Sequence, residues 1–177
     1  PGICYLDKKT NKLVRNSQSR VNLAEVDVMP SYHLLDVDYY LTTNIHHRFH
    51  KIGKVMPMLT GRGCTGGCSF CSPTVGKFIA PSVRNTINEI KYLNRNYKFD
   101  GFHFITEIFF QFPYEVEEFC SEYKKLDIQK PWFCCVSPHM SHEVYPIMKD
   151  AGCVGFNMGL ESGSDKILAK TKIGCTV

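Results

Sequence analysis

VMPMLTGRGCTGGCSFC, residues 55–71, decides how the rest of the chain is read. Residues 55–60 form a short apolar run of strand length, and a loop rich in glycine and cysteine follows at once. Cys64, Cys68 and Cys71 stand at C-x3-C-x2-C. That i, i+4, i+7 spacing would also fit one face of a helix. Gly61, Gly63, Gly66 and Gly67 argue against it, because each glycine costs a helix about 1 kcal/mol. Glycines instead let the backbone wrap closely around something bulky. Three thiolates are one short of a closed tetrahedral zinc site, and the nearest downstream histidine is His103. A ferredoxin-type run uses C-x2-C-x2-C with a fourth cysteine before proline, whereas here the first gap is three residues and Pro73 follows Ser72. A cubane held by only three cysteines leaves one iron open to a ligand with an amine and a carboxylate. The iron–sulfur reading is preferred, with zinc as its alternative.

Outward from this loop the chain alternates strands and helices. Ser82 is expected to cap a helix that buries Val83, Ile87 and Ile90. GFHFIT at 101–106 reads as a strand, and Pro113 suits the first turn of a helix burying Val116, Phe119, Cys120 and Tyr123. WFCCV at 132–136 is the third strand. Ser141 is expected to cap a helix with Val144, Ile147, Met148 and Ala151 on one face, stopped by Gly152. CVGFNMGL at 153–160 is the fourth strand, and Ser164 starts another helix. Successive strand–helix units imply parallel strands, and strands apolar on both faces fit a sheet covered by helices. The fold class expected is α/β, a partial (β/α) barrel of four units.

Upstream, residues 1–22 read as a β-hairpin, with ICYL and KLV flanking the turn residues DKKTN. Residues 23–53 show no sustained period and read as a surface connector broken at Met29-Pro30-Ser31. The domain division expected is therefore 1–53, hairpin and linker, and 54–177, the barrel part. With 177 residues, 44% hydrophobic and a net charge of +4, the chain is not a disordered one. That charge is too small and scattered to signal a nucleic-acid partner, and no run of about 18 apolar residues signals a membrane span. The first residue is Pro1 and the last, Val177, comes just after a helix begins, so the chain reads as part of a longer protein. Nine cysteines, an odd number, do not suit a paired secreted scaffold. Six of them, at 4, 120, 134, 135, 153 and 175, are read as small hydrophobes. A reducing, cytoplasmic compartment with a metal site follows. HHRFH at 46–50 is read as exposed linker rather than a metal site, and Lys77 and Arg84 as solvated charges.

The loop resembles the radical S-adenosylmethionine (SAM) superfamily, whose hallmark is C-x3-C-x-aromatic-C after the first strand; Phe70 supplies the aromatic. The resemblance runs across most of residues 54–177. It implies a six-unit partial barrel of which this chain holds the first four units. It also implies a 4Fe–4S cluster on Cys64, Cys68 and Cys71, with SAM chelating the open iron and Phe70 lying along the adenine. The stretch Thr106-Glu107-Ile108-Phe109 stands where the family often has D-D-x-F, so Glu107 would receive the SAM ammonium while Thr106 replaces the first acid. GLESGSDKIL at 159–168 is similar to the family's G-x-E-S-G-S turn. Glu161 would accept from the ribose, and Ser162 and Ser164 would donate to SAM while also starting a helix. Nothing is carried over to Ser137-Pro138-His139, where the family often has an arginine.

NSQSRVNLAEVDVMP at 16–30 resembles the hairpin and linker of the cobalamin-associated branch, which implies a cobalamin-binding domain upstream of Pro1. The implied chemistry is reductive cleavage of SAM to a 5′-deoxyadenosyl radical, for hydrogen abstraction or radical methylation of an unknown substrate. Electrons would come from a donor such as flavodoxin or ferredoxin, and this stretch alone would be poorly active. The alternatives are a methylthiotransferase-like tRNA-modifying enzyme and a non-catalytic iron–sulfur or zinc module.

Overall fold

The computed structural model describes residues 2–17, 27–42, 52–71, 78–171 and 174–176. HHRFH, Lys77 and much of the 16–30 stretch lie outside the described residues. The hairpin is as expected: β1 (Cys4–Asp7) pairs antiparallel with β2 (Lys12–Arg15), and the Asp7 carboxylate accepts from the Lys9 N–H at 2.8 Å in the turn. The connector differs from the sequence reading. It contains a 3-10 turn (Tyr32–Leu34) and a short helix α1 (Val37–Thr42) that sends Val37 and Leu41 into the core. Six residues are too few to show a helical period, which is why the element was not legible.

Four parallel strands follow, β3 (Val55–Met58), β4 (Gly101–Phe104), β5 (Trp132–Val136) and β6 (Cys153–Met158), hydrogen-bonded in chain order. Between them run α2 (Val83–Asn96), α3 (Pro113–Lys124) and α4 (Val144–Asp150), and α5 (Asp165–Thr171) follows β6. This is the α/β order expected, with strands two residues shorter than the runs VMPMLT, GFHFIT and CVGFNMGL.

Side chains alternate along the strands, so Met56, Met58, Phe102, Phe104, Trp132, Cys134 and Val136 turn to the helices and form the core with α2, α3 and α4. Val83, Ile87 and Ile90 are buried on α2, and Val116, Phe119, Cys120 and Tyr123 on α3, as the periodicity requires. Trp132 lies at the centre, 5.0 Å from the Phe109 ring and 5.7 Å from Phe104 (ring centroids), with its indole N–H donating to the Ala151 carbonyl at 2.8 Å. Ser82 caps α2 by accepting from the Asn85 N–H at 3.2 Å. Glu115 fixes the start of α3, its carboxylate accepting from the N–H groups of Gln111 and Phe112 at 3.1 and 3.0 Å.

Two details of α4 and β6 depart from expectation. The residue before α4 is Glu143 rather than Ser141, whose hydroxyl accepts from the Glu143 N–H at 3.4 Å, and Ile147 is exposed. On β6, Val154 and Phe156 are exposed despite the apolar pattern, because among the described residues this strand is paired on one side only, to β5. The six cysteines read as small hydrophobes also divide. Cys120 and Cys134 are buried, and burial pushes the Cys120 thiol up to about 12; Cys4 is exposed.

Polar contacts fasten the connector to α2: at its N-terminus the Asp27 carboxylate accepts from the Ser82 N–H at 3.2 Å and the Asp27 carbonyl from the Asn85 amide at 3.3 Å, and further along the helix Tyr32 meets Glu89. Tyr32 donates its hydroxyl to the Glu89 carboxylate at 2.5 Å and packs its ring against Tyr92 and Tyr97. Glu89 is 8% exposed, and burial raises its pKa above the usual carboxylate range, outweighing the phenol hydrogen bond that lowers it. An acid whose folded pKa is raised contributes stability below its unfolded pKa and loses it as pH rises through the folded one. Two results are expected in urea unfolding. Tyr32→Phe costs about 1–2 kcal/mol. Glu89→Gln gains on wild type as pH is raised from the unfolded carboxylate pKa of about 4 towards and through the raised folded one.

Candidate cofactor site at the mouth of the sheet

Beyond Met58 the chain leaves β3 and enters the cysteine loop. The loop is closed at its base by an antiparallel bridge in which Arg62 and Ile79 exchange both backbone hydrogen bonds, at 2.7 and 2.9 Å. At its far end the Ser69 N–H donates to the Thr171 carbonyl of α5 at 3.0 Å, and on its flank Gln111 donates to the Thr65 hydroxyl at 3.3 Å. Three separate parts of the fold therefore hold it.

Within the loop the spacing has a direct geometric reading. The Cys71 N–H donates to the Cys68 carbonyl at 3.1 Å, so Cys68-Ser69-Phe70-Cys71 is a tight turn with a cysteine at each end. The Gly66 peptide lies between the other two sulfurs: its N–H donates to Cys64 Sγ at 3.2 Å, and Cys68 Sγ stands 4.0 Å from its carbonyl oxygen. A methyl group on Gly66 would come within 3.2 Å of Cys64 Sγ and 3.7 Å of Cys68 Sγ, and Gly67 has φ +58°. The glycines are thus used for close approach and for a left-handed turn, not for a helix.

All three cysteines line one cavity of about 290 Å³ at the C-terminal ends of the strands. Its wall also carries Phe70, Glu107 and Glu161, together with Ile108, Val136 and His139. Six of the eight residues singled out from the sequence are thereby brought together. Ser162 and Ser164 are not in the wall but on the adjoining turn, where the Ser162 hydroxyl accepts from the Ser164 N–H at 3.2 Å and the Ser164 carbonyl accepts from Leu168 at 2.9 Å.

Each carboxylate is presented by a constrained backbone. Glu107 is exposed, yet its neighbours Thr106, Ile108 and Phe109 are buried, and the Phe109 N–H donates to the Cys135 carbonyl of β5 at 2.8 Å. Glu161 has φ +60°, a left-handed conformation that side chains other than glycine seldom adopt and that concentrates at ligand sites. Sequence reasoning missed Ser137, Pro138 and His139 as wall residues. It also missed the contact of Cys175 Sγ with His139 Nε2 at 3.4 Å. The order of elements was the available signal, since residues just past β5 must face the same mouth.

The donor set fits an iron–sulfur cubane. The three loop thiols are free and at least partly accessible, and the Gly66 peptide leaves room beside two of them. Among the described residues no three His, Cys, Asp or Glu side chains form a group able to hold a metal ion. A cubane makes a different demand, one thiolate for each of three irons at separate corners.

A family model of the radical SAM superfamily matches residues 58–177. The chain belongs to the radical SAM superfamily. An uncharacterized methyltransferase of Pyrococcus horikoshii is 31% identical over 173 residues, 94% of this chain and 36% of that protein. Cytidylyl-2-hydroxyethylphosphonate methyltransferase of Streptomyces wedmorensis is 24% identical over 149 residues, 78% of this chain and 27% of that protein. This radical SAM chain therefore spans 36% or less of the curated relatives it matches. Among solved structures, the cobalamin-dependent S-adenosylmethionine radical enzyme OxsB aligns with a TM-score of 0.78 at 20% identity, over 99% of this chain and 26% of its own. The radical S-adenosylmethionine methyltransferase TsrM of Kitasatospora setae aligns at 0.58 and 18%, over 70% of this chain and 25% of its own. These likenesses show the fold of a radical SAM barrel, of which the four βα units here are part.

The Gly66 peptide carries a test of the loop. Gly66→Ala is expected to push the Cys64 sulfur off its N–H donor by a few tenths of an ångström. The added methyl crowds both sulfurs, so alkylation of Cys64 and Cys68 in metal-free protein, followed by mass spectrometry, should slow relative to wild type while Cys120 stays unlabelled in both.

Proposed function

We propose that the protein containing this chain is a cobalamin-associated radical SAM enzyme that acts by hydrogen abstraction or radical methylation on a substrate of unassigned structure. The observation that carries this reading is the convergence of Cys64, Cys68, Cys71, Glu107 and Glu161 on one cavity at the strand ends. Cys64, Cys68 and Cys71 would hold a 4Fe–4S cluster. When bound, such a cluster supplies one electron to the SAM sulfonium, and the cleavage that follows yields a 5′-deoxyadenosyl radical.

The chain's own residues bind and orient. Glu107 would accept from the SAM ammonium, a charge-assisted hydrogen bond from a carboxylate fixed between buried neighbours. Glu161 would accept from the ribose hydroxyls, and Phe70, 59% exposed on the turn between two ligands, would lie along the adenine. Ser162 and Ser164 would contribute from the turn that starts α5. Ile108 and Val136 in the wall displace water from the reacting region.

That both curated relatives are methyltransferases supports methyl transfer, and the cobalamin dependence of OxsB supports an upstream cobalamin-binding domain. The division at residues 53 and 54 belongs to the same proposal. Electrons would come from a low-potential donor of the flavodoxin or ferredoxin class. Among the described residues no helix is long and apolar enough to cross a membrane.

Anaerobic reconstitution of the full-length protein should give about four iron and four acid-labile sulfide per chain. Cys64→Ala, Cys68→Ala and Cys71→Ala should each lose most of this. Wild type should release 5′-deoxyadenosine from SAM only when a reductant is supplied. About one zinc per chain with no sulfide would instead favour a non-catalytic metal module.

A further inference from the structure

Two buried hydroxyls play no part in the proposed chemistry. Thr60 and Thr106 are 0% and 2% exposed, and neither lines the cavity. Thr60 stands four residues before Cys64, and Thr106 stands immediately before Glu107. They lie where backbone pairing between β3 and β4 has run out. The strand register ends at Met58 and Phe104, and the next backbone bond, from the Ile105 N–H to the Met58 carbonyl at 2.8 Å, is made before either threonine is reached.

Beyond that point the side chains continue the pairing. Thr106 Oγ1 accepts from the Thr60 N–H at 2.9 Å, the two hydroxyl oxygens are 2.8 Å apart, and Thr60 Oγ1 donates to the Phe109 carbonyl at 3.1 Å. Proton counting leaves one arrangement. The single Thr60 hydroxyl proton goes to Phe109, so the Thr106 hydroxyl donates across the 2.8 Å contact while accepting from the Thr60 amide. Every group in this closed circuit is satisfied, and valine at either position would break it without changing side-chain shape much.

We propose that Thr60 and Thr106 are positioning residues, whose hydroxyl circuit registers the cysteine loop against the turn carrying Glu107. The inference rests on the proposed function, because it gives that register a purpose: thiols and carboxylate must face one cavity at a set spacing. An apolar pair would fill the volume but leave the register unspecified, and it would strand the Thr60 amide without a partner.

The test uses the full-length protein with Thr106→Val, Thr106→Ser and Thr60→Val. Hydrogen exchange of the amides of residues 60–68 is followed in metal-free protein. SAM affinity is read separately from the SAM-induced change in the electron paramagnetic resonance spectrum of the reduced, reconstituted protein. Thr106→Val is expected to speed loop exchange and to weaken SAM about tenfold, the equivalent of one buried hydrogen bond of about 1.4 kcal/mol. Thr106→Ser should restore both to within about threefold of wild type, because its hydroxyl can close the circuit again. Should Thr106→Val fail to fold, Thr60→Val decides, since it keeps the backbone donor and removes only the hydroxyl. Variants that lose thermal stability but keep wild-type loop exchange and SAM affinity would overturn the proposal. A wild type whose reduced spectrum ignores SAM would sink the proposed function instead, and the exchange measurement would still decide the positioning role.

Discussion

The structure depends on holding an eleven-residue, glycine-rich loop still. Residues 61–71 have little apolar surface of their own, so their conformation has to be imposed from outside. The fold supplies this through hydrogen bonds to distant elements: the bridge to Ile79 at the base, Gln111 on the flank and the Thr171 carbonyl at the far end. Each tie reaches a different part of the chain, and the last spans about a hundred residues of sequence. A site built in this way is held by segments before α2, before α3 and at the end of α5, which couples the geometry of the thiols to the packing of the whole sheet.

The turn that carries Glu107 solves the opposite problem. Here the backbone must put one charged group into the cavity while the residues on either side pull inward. Ile108, Phe109 and Phe110 are buried, and Phe109 sits against both Phe104 and Trp132. The aromatic core is thus not only a source of burial energy. By anchoring the loop after β4, it fixes the direction of a carboxylate that is itself exposed, at no cost in burying its charge.

Much of this was legible in the residue pattern, and the limits were physical. The strand–helix order, the stripes of α2 and α3 and the capping by Ser82 follow from local periodicity and hydrogen-bonding groups. The C-x3-C-x2-C spacing with four glycines indicated a wrapped loop, and Cys68–Cys71 is indeed a tight turn. What local pattern cannot carry is contact between residues far apart in sequence. Nothing about Thr171 marks it as a partner of Ser69, and nothing in Ser137-Pro138-His139 marks it as cavity wall until β5 is placed beside β4. Thr106 is the instructive case. In the sequence it stands only as a replacement for the family's first acid, whereas in the fold its hydroxyl is engaged with Thr60 and points to a different task.

The nine cysteines show how one fold separates two uses of the same side chain. Cys120 and Cys134 lie among aromatic and aliphatic neighbours in the core, where burial disfavours the thiolate and leaves a small, inert hydrophobe. Cys64, Cys68 and Cys71 are held at the strand ends, partly accessible, with the Gly66 N–H offered to one sulfur. Ligating iron requires the deprotonated form, which burial disfavours at Cys120 and Cys134. The number of cysteines therefore says little about a metal site in such a chain. Placement beyond the last ladder bond of β3, on a backbone too rich in glycine to close into a helix, separates the three loop thiols from the other six.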